Sequence, residues 1–350
     1  MSSDEPTPRV QFARLLHTVP SKAASEATKA EPVQLVARNM PVLRRADLSP
    51  TEREIVVQLQ RNGRLPFAHI ARVMNSSEKT VRSIVTRLEE SQVIHITALT
   101  FPDLLGFTGA ATCAVKLAPG ASARQVAHQL GRMDVVNYIA VTLGSVDIWA
   151  DLVCRDRATL LTVLDEQVRR VEGIQSIEAF LYLNITYRSL GAAELSRPTL
   201  QGSPLSFNET DRKIFAELAH NGRESYHDIA QKLGVSESLV RQRVKRAMDA
   251  GVLSINALVN PSSLGGEVMA WVGVRTAHAR APELASALAG WPHAAYIGVT
   301  AGRYDLFVEF ICHDENELLG QLTALSKHEL VEDLEPFVYL DLQVKAITFA

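Results

Sequence analysis

The sequence predicts an α+β protein of two tandem units, each a set of three short helices followed by a βαββαβ segment. Three observations predict it. The chain contains itself twice: Asn62-Gly63-Arg64 returns as Asn221-Gly222-Arg223, and at that shift Ile55 falls on Ile214, Ile70-Ala71 on Ile229-Ala230, Val81-Arg82 on Val240-Arg241 and Leu105-Gly106 on Leu264-Gly265. Further on, Gly144, Asp147 and Cys154 meet Gly302, Asp305 and Cys312 at a shift one residue shorter. A period this long duplicates a whole domain set and is not a solenoid repeat. The early part of each copy then shows apolar residues at helical spacing, and the later part shows strand-length apolar or alternating runs.

Residues 1–46 lack a core pattern and read as a tail that orders on a partner, with a short amphipathic helix possible over Val10–Val19. Order starts at Ser49-Pro50-Thr51-Glu52, a capping box with proline at the first helical position. Ile55, Val56 and Leu59 form the buried stripe of that helix, and Asn62-Gly63 is expected to end it through the left-handed conformation both residues tolerate. The second copy uses Asn208 as cap, Asp211 as its acid, Ile214, Phe215 and Leu218 as stripe, and Asn221-Gly222 as stop. A second helix is expected over Phe67–Met74 and again over Tyr226–Leu233, where Ser225 to Asp228 forms another capping box and Pro66 replaces that serine in copy one. A turn on Asn75 or Gly234 follows, and Ser77 and Ser236 cap a third helix. Helix, short turn with Gly or Asn, then helix is the helix-turn-helix pattern.

The third helix indicates what the unit contacts. Val81, Val85 and Leu88 must face inward, which turns Lys79, Arg82, Ser83 and Thr86 outward. In copy two Val240, Val244 and Ala247 face inward and Ser238, Arg241, Gln242 and Lys245 face out, with Arg87, Arg243 and Arg246 on the flanks. Such a face is either a solvated helix surface or a major-groove reader, in which Arg pairs with guanine, Gln with adenine, and Ser or Thr with either. On the second helix of a capped helix-turn-helix the groove reading is preferred. Arg64 and Arg223 follow the first helix and either meet phosphate or satisfy helix-end carbonyls.

After each triad a short strand is expected, Val93–Leu99 and Val252–Val259. Then come a strand Ala111–Leu117, a helix Ser122–Leu130, a strand Val135–Leu143, a turn at Gly144-Ser145 and a strand Val146–Cys154. A helix Thr159–Val171 and a last strand Ile177–Ile185 complete the unit, the strand with Ile177, Ala179, Leu181, Leu183 and Ile185 on one face. This βαββαβ order is the ferredoxin-like sandwich. The resulting domains are helix-turn-helix at 47–100 and 206–259, ferredoxin-like at 104–188 and 264–350, with a Gly/Pro-containing linker at 189–205.

Composition narrows the function. No run of 18 apolar residues occurs in the 350, and no signal peptide opens the chain, so no membrane partner is expected. Cys113, Cys154 and Cys312 show no metal-ligand spacing and read as buried thiols of a reducing cytoplasm. A net charge of −3 excludes a globally basic nucleic-acid coat, so DNA contact must come from local patches. No catalytic residue, metal or cofactor is assigned, and His293 after Trp291-Pro292 reads as a core or surface histidine rather than a metal ligand.

The Asp211-Arg212-Lys213-Ile214 opening, the Asn-Gly-Arg, the helix-turn-helix and the Gly-x-x-Asp hairpins (Gly144 to Asp147, Gly302 to Asp305) together resemble the Lrp/AsnC, or feast/famine, transcription regulators over residues 47–350. The chain resembles a two-unit fusion of that family, with Asn75 in place of the turn glycine. The resemblance implies a sequence-specific regulator of double-stranded DNA whose ferredoxin-like domains oligomerise and sense a small effector such as an amino acid. It also implies that the strand after each helix-turn-helix is a hinge pairing across a dimer, and that effector sites lie near the Gly-x-x-Asp hairpins. One chain would mimic the family's dimer, and recognition helices about 34 Å apart would read adjacent turns of one DNA face. Gly144 and Gly302 are expected to need positive φ. Asp147 and Asp305 either bind effector or cap backbone amides, and Arg303 can receive a carboxylate bidentately, which makes the two sensor sites unequal. Siroheme decarboxylases share this architecture and would need His and Tyr in the sheet. A sensor that has lost DNA binding is the third reading.

Overall fold

A ferredoxin-like sheet has two open edges, and an unpaired edge invites another strand. In this chain the edges of one unit are closed by the edges of the other. The structure, a computed structural model, describes residues 43–187, 207–264, 268–277 and 280–344. Residues 1–42 of the tail expected over 1–46, the helix suggested at Val10–Val19 and the linker at 189–205 lie outside the described residues, whereas 43–46 are packed, with Leu43 buried and Ala46 N–H donating to Ser263 Oγ at 3.0 Å. No helix among the described residues is long and apolar enough to cross a membrane.

The first unit begins with α1 (Pro50–Arg61), α2 (Phe67–Val73) and α3 (Glu78–Glu90). Ser49 and Glu52 form the reciprocal capping box, and Ser77 caps α3. Asn75 makes the turn between α2 and α3 at φ +51°, in the left-handed region the missing glycine would occupy. Strand β1 (Ile94–Thr100) follows, then β2 (Gly109–Leu117), α4 (Ala123–Gly131), β3 (Val136–Leu143), β4 (Ile148–Cys154), α5 (Arg157–Glu166) and β5 (Ile174–Tyr187). Helix α5 stops five residues short of the expected Val171, and Val168–Arg170 form a 3-10 turn instead. The second unit repeats the order with α6 (Glu209–His220), α7 (Tyr226–Leu233), α8 (Glu237–Asp249) and β6 (Leu253–Val259). It continues with β7 (Val268–Thr276), α9 (Ala281–Leu288), β8 (Ala294–Ala301), β9 (Leu306–Cys312), α10 (Glu315–Ser326) and β10 (Val331–Val344).

The two helix-turn-helix domains share one core. β1 and β6 pair antiparallel from Ile94↔Val259 to Thr100↔Leu253, and the apolar stripes of α1, α3, α6 and α8 close on this ribbon in a single cluster. Each first helix lies against the other unit's strand. Thr97 Oγ1 donates to the Ala219 carbonyl of α6 (2.6 Å), and Asn256 Nδ2 donates to the Gln60 carbonyl of α1 (2.6 Å).

Asn62 and Asn221, expected in the left-handed region, are extended at φ −153° and −143°, and neither following glycine has positive φ. The glycines serve close approach instead. Gly63 N–H donates to Ile255 O (2.7 Å) and Gly222 N–H to Ile96 O (2.8 Å). A Cβ on Gly63 would sit 2.8 Å from Ile96 Cγ2 and 3.0 Å from Ile255 O, and one on Gly222 would meet Ile96 C and O at 3.0 Å.

The sheets run β5-β2-β4-β3 and β10-β7-β9-β8, and pairing of β5 with β8 and of β10 with β3 closes them into one eight-stranded barrel. Trp149, Phe180, Trp271, Tyr304, Phe307 and Phe337 fill the interior, with Trp271 stacked on Phe307 at 5.2 Å. Helices α4, α5, α9 and α10 cover the outer faces over two separate clusters. The last strand keeps Ile177, Ala179, Leu181 and Leu183 on one face, but that face is the outer one: Ile177 packs on the helix-covered cluster and the other three are exposed, while Phe180 on the alternate face is buried against the partner sheet. A register shift between Tyr182 and Asn184 then returns Ile185 to the inside.

The ribbon contact makes a stability prediction. Gly63→Ala and Gly222→Ala should each destabilise the protein by about 1–3 kcal/mol through overpacking against backbone. Urea unfolding should show a lowered midpoint at constant slope.

Candidate nucleic-acid interface and effector site

Along α3, Lys79, Arg82, Ser83, Thr86 and Arg87 are exposed, while Val81, Val85 and Leu88 are buried. Along α8, Ser238, Arg241, Gln242, Lys245 and Arg246 are exposed over buried Val240, Val244 and Ala247. Among the described residues, both outer faces are therefore uncovered. Their cations are lightly held: Arg82 pairs with Glu78 (2.6 Å), Arg241 with Glu237 (2.7 Å) and Lys245 with Asp249 (2.7 Å), all exposed i,i+4 pairs. Such pairs are worth only a few tenths of a kcal/mol, so phosphate or a base edge can displace them. Arg87 is different, because its guanidinium turns back to the capping-box carboxylate of Glu52 and ties α3 to α1. Arg243 is half-buried and lies 3.6 Å from buried Asp211, so it serves the corresponding contact in copy two.

Arg64 and Arg223 satisfy carbonyls just beyond the end of a first helix, as one of the two readings expected, but the helix is the opposite unit's. Arg64 donates to the carbonyls of Gly222 and Glu224 (both 2.9 Å), and Arg223 donates to those of Gly63 and Leu65. Each arginine thus clamps the opposite unit's helix-turn-helix. Burial lowers both guanidinium pKa values. Each also covers an aromatic ring at the start of the opposite second helix: Arg64 over Tyr226 at 4.3 Å and Arg223 over Phe67 at 4.0 Å. Those same rings face the outward-facing arginines of α7's and α2's neighbouring helices, Arg241 at 5.3 Å from Tyr226 and Arg82 at 5.1 Å from Phe67. The clamp of one unit is therefore linked through a ring to the exposed arginine of the other.

At the hairpins, Gly144 and Gly302 have positive φ and ride on Phe337 and Phe180 of the opposite unit. The carboxylates of Asp147 and Asp305 are turned to backbone. Asp147 accepts from Leu117 N–H (2.8 Å) and pairs with Lys116, and Asp305 accepts from Thr276 N–H (2.8 Å) and its hydroxyl. They pin each hairpin to the end of the neighbouring strand, the backbone-capping alternative. Arg303 pairs with Glu178 of the other unit at 2.9 Å, and Ser145 meets Glu335. Glu335 also accepts from Tyr304, and the hydrogen bonds from Ser145 and Tyr304 hold it below the usual carboxylate range against the burial that would raise it. The two hairpins thus differ in charge, with a guanidinium at the second and a hydroxyl at the first.

Sequence reasoning passed over a second pair of carboxylates inside the barrel. Asp151 on β4 accepts from Tyr182 on β5, 3.0 Å to each oxygen. At the equivalent point of copy two, Glu309 on β9 accepts from Tyr339 on β10 (2.9 Å) and from Tyr138 on β3 of the other unit. Burial pushes the Asp151 carboxyl up to about 7 and raises Glu309 as well. The signal was available: one acid interrupts each of the apolar runs Ile148–Cys154 and Leu306–Cys312 at the same place.

Comparisons with known proteins follow this geometry. Residues 48–95 and 207–254 match the winged helix-turn-helix DNA-binding family, and residues 110–190 match the Lrp/AsnC ligand binding domain. The HTH-type transcriptional regulator Ptr1 of Methanocaldococcus jannaschii is 34% identical over 122 residues, 35% of this chain and 82% of its own. The HTH-type transcriptional regulator FL11 of Pyrococcus furiosus is 28% identical over 134 residues, covering 38% of this chain and 89% of its own. Each relative thus spans about one unit of this chain. Among solved structures, the siroheme decarboxylase NirDL superposes with a TM-score of 0.55 over 86% of this chain and 94% of its own, at 15% identity, a likeness of fold.

The raised carboxyls set a pH dependence. Between roughly pH 4 and 7 folded Asp151 keeps a proton that the unfolded chain has released, so stability falls as pH rises through that window, by at most about 1.4 kcal/mol per pH unit. Glu309 adds in the same direction. Thermal melts at pH 5 and pH 8 should show a smaller loss for Asp151→Asn than for the wild type.

Proposed function

The chain belongs to the Lrp/AsnC family of helix-turn-helix transcriptional regulators, and from that premise we propose that it binds double-stranded DNA as an intramolecular dimer whose affinity is set by a small effector. The observation that carries this is the pair of exposed cationic faces on α3 and α8, held as one body by the β1–β6 ribbon and the crossed Arg64 and Arg223 clamps. Lys79, Arg82, Ser83 and Thr86 read one half-site, and Ser238, Arg241, Gln242, Lys245 and Arg246 read the other. Arg87 supports the first reader through Glu52.

The effector is an amino acid or a similarly zwitterionic molecule bound at the second hairpin. Arg303 offers a guanidinium for a carboxylate, and Glu178 and Glu335 offer carboxylates for an ammonium. An incoming zwitterion exchanges one ion pair for two and would change how the hairpin holds the opposite unit. The first hairpin, with Ser145 at the Glu335 side, lacks the guanidinium. Chains assemble further through the outer faces of the sensor domains, where Leu161 and Leu319 stand 60% and 62% exposed at equivalent points of α5 and α10.

We assign no enzymatic activity. The barrel strands carry tyrosines but no histidine, and six buried aromatic rings fill the space between the sheets. Incubation with siroheme should leave its absorbance and mass unchanged.

DNA affinity should fall steeply with salt. On duplexes recovered by genome-wide binding-site mapping, Arg82→Ala and Arg241→Ala should each cost about 1–3 kcal/mol. Unchanged binding in the double variant would overturn the reader assignment. Calorimetry with the common amino acids should show a ligand whose binding is lost in Arg303→Ala, and unchanged affinity there would overturn the effector site.

A further inference from the structure

Outside the interface and the hairpins, one cluster among the described residues brings together nitrogen, sulfur and oxygen donors. His293 lies between α9 and β8, Cys312 ends β9, and Glu317 sits in the first turn of α10. A ring nitrogen of His293, the Cys312 sulfur and a carboxylate oxygen of Glu317 all lie within 4.8 Å of one another. Zinc, with bonds of about 2.0–2.3 Å, holds such donors roughly 3.5 Å apart, so closure needs about 1 Å of side-chain movement.

The hydrogen bonds leave room for an ion at this place. His293 Nδ1 lies 3.2 Å from the Ile311 carbonyl, which can only accept, so Nδ1 carries the hydrogen. In the neutral ring this leaves a lone pair on Nε2. That atom faces Glu317 Oε1 at 3.0 Å, and two acceptors at that distance need a cation or a proton between them. A carbonyl on the far ring nitrogen is also the arrangement that orients metal-bound histidines. The frame is rigid, since Ile311 N–H donates to His293 O at 3.0 Å and Glu317 N–H to the capping Asp314 at 2.8 Å. His313 lies alongside, its backbone N–H on Glu317 Oε2 at 2.7 Å and its Nδ1 at 3.1 Å from the same oxygen. Cys312 is buried, His293 and Glu317 are partly exposed, and His313 is 78% exposed at the side-chain level, so an ion has a path from solvent.

Copy one is a built-in control. Cys154 stands where Cys312 does, but Val135, Arg155 and Thr159 occupy the places of His293, His313 and Glu317. One acid and two imidazoles have been gathered round one of two equivalent buried cysteines.

We propose that His293, Cys312 and Glu317 bind a divalent transition-metal ion of the zinc class in the second sensor domain, with the fourth position open to water or His313. Binding displaces the thiol proton to solvent and joins the β8 entry, the β9 end and the start of α10 through one ion. The donor set suits zinc or cobalt and not magnesium or calcium, which prefer all-oxygen ligands.

The test uses full-length protein stripped with a chelator and titrated with cobalt(II). The wild type should develop thiolate-to-cobalt charge-transfer absorbance saturating at one equivalent, and zinc should bleach it. Cys312→Ser should abolish the band, Cys154→Ser should keep it, and His293→Ala should weaken zinc binding at least tenfold. Zinc should raise the melting temperature of the wild type and not of His293→Ala, a readout that stands even if Cys312→Ser folds poorly. No charge-transfer band in the wild type, or an undiminished band in both the Cys312 and His293 variants, would overturn the proposal. None of these readouts depends on DNA or effector binding.

Discussion

Neither unit of this chain can satisfy its own sheet. β3 and β5 are the edges of the first ferredoxin-like sheet, and β8 and β10 are the edges of the second. Each edge presents a row of backbone donors and acceptors that must find partners. Pairing β5 with β8 and β10 with β3 joins these edges within one polypeptide, each seam broken by one register shift. The same logic governs the readers, because β1 and β6 have only each other to pair with and the first helix of each unit packs on the other's strand. Covalent duplication makes these contacts intramolecular, so their formation does not depend on protein concentration.

That constraint also explains the placement of the arginines. Once α1 and α6 are drawn onto the ribbon, the carbonyls beyond their ends face the opposite unit, and Arg64 and Arg223 are the nearest donors. Phe67 and Tyr226 then sit between clamp and reader. Movement of one helix-turn-helix against the other must disturb this layer. Arg82 and Arg241 are thereby tied to how the two helix-turn-helix domains meet. The hairpins too bear on the opposite unit, since Gly144 and Gly302 press on its aromatic rings.

Much of this was legible in the residues. The capping boxes at Ser49 and Asn208, the turn at Asn75 and the stripes of α3 and α8 are local signals, and the structure forms them where the spacing places them. What depended on the opposite unit was hidden. Asn62-Gly63 looks like a helix stop because a left-handed cap is the usual use of that pair, yet here the glycine makes room for Ile96 and Ile255. The last strand of the first unit offered apolar residues on both parities, and only barrel closure decides that Phe180 and not Leu181 goes inside. The acids at Asp151 and Glu309 were visible as interruptions, but their tyrosines come from distant strands, one of them across the pseudo-two-fold.

Divergence between the copies follows from the same arrangement. In a dimer of identical subunits a substitution appears on both sides of the axis, so a charge suited to one hairpin is imposed on the other. A duplicated chain is released from that. Arg303 and Ser145 occupy corresponding hairpins, and His293 with Glu317 stand where Val135 and Thr159 do. The parts that hold the halves together have stayed paired, as in Gly63 with Gly222 and Arg64 with Arg223. Contacts made reciprocally across the axis constrain both copies at once, whereas groups on the outer rim constrain only one. Asymmetric chemistry is therefore to be sought at the hairpin tips and at the outer ends of the strands.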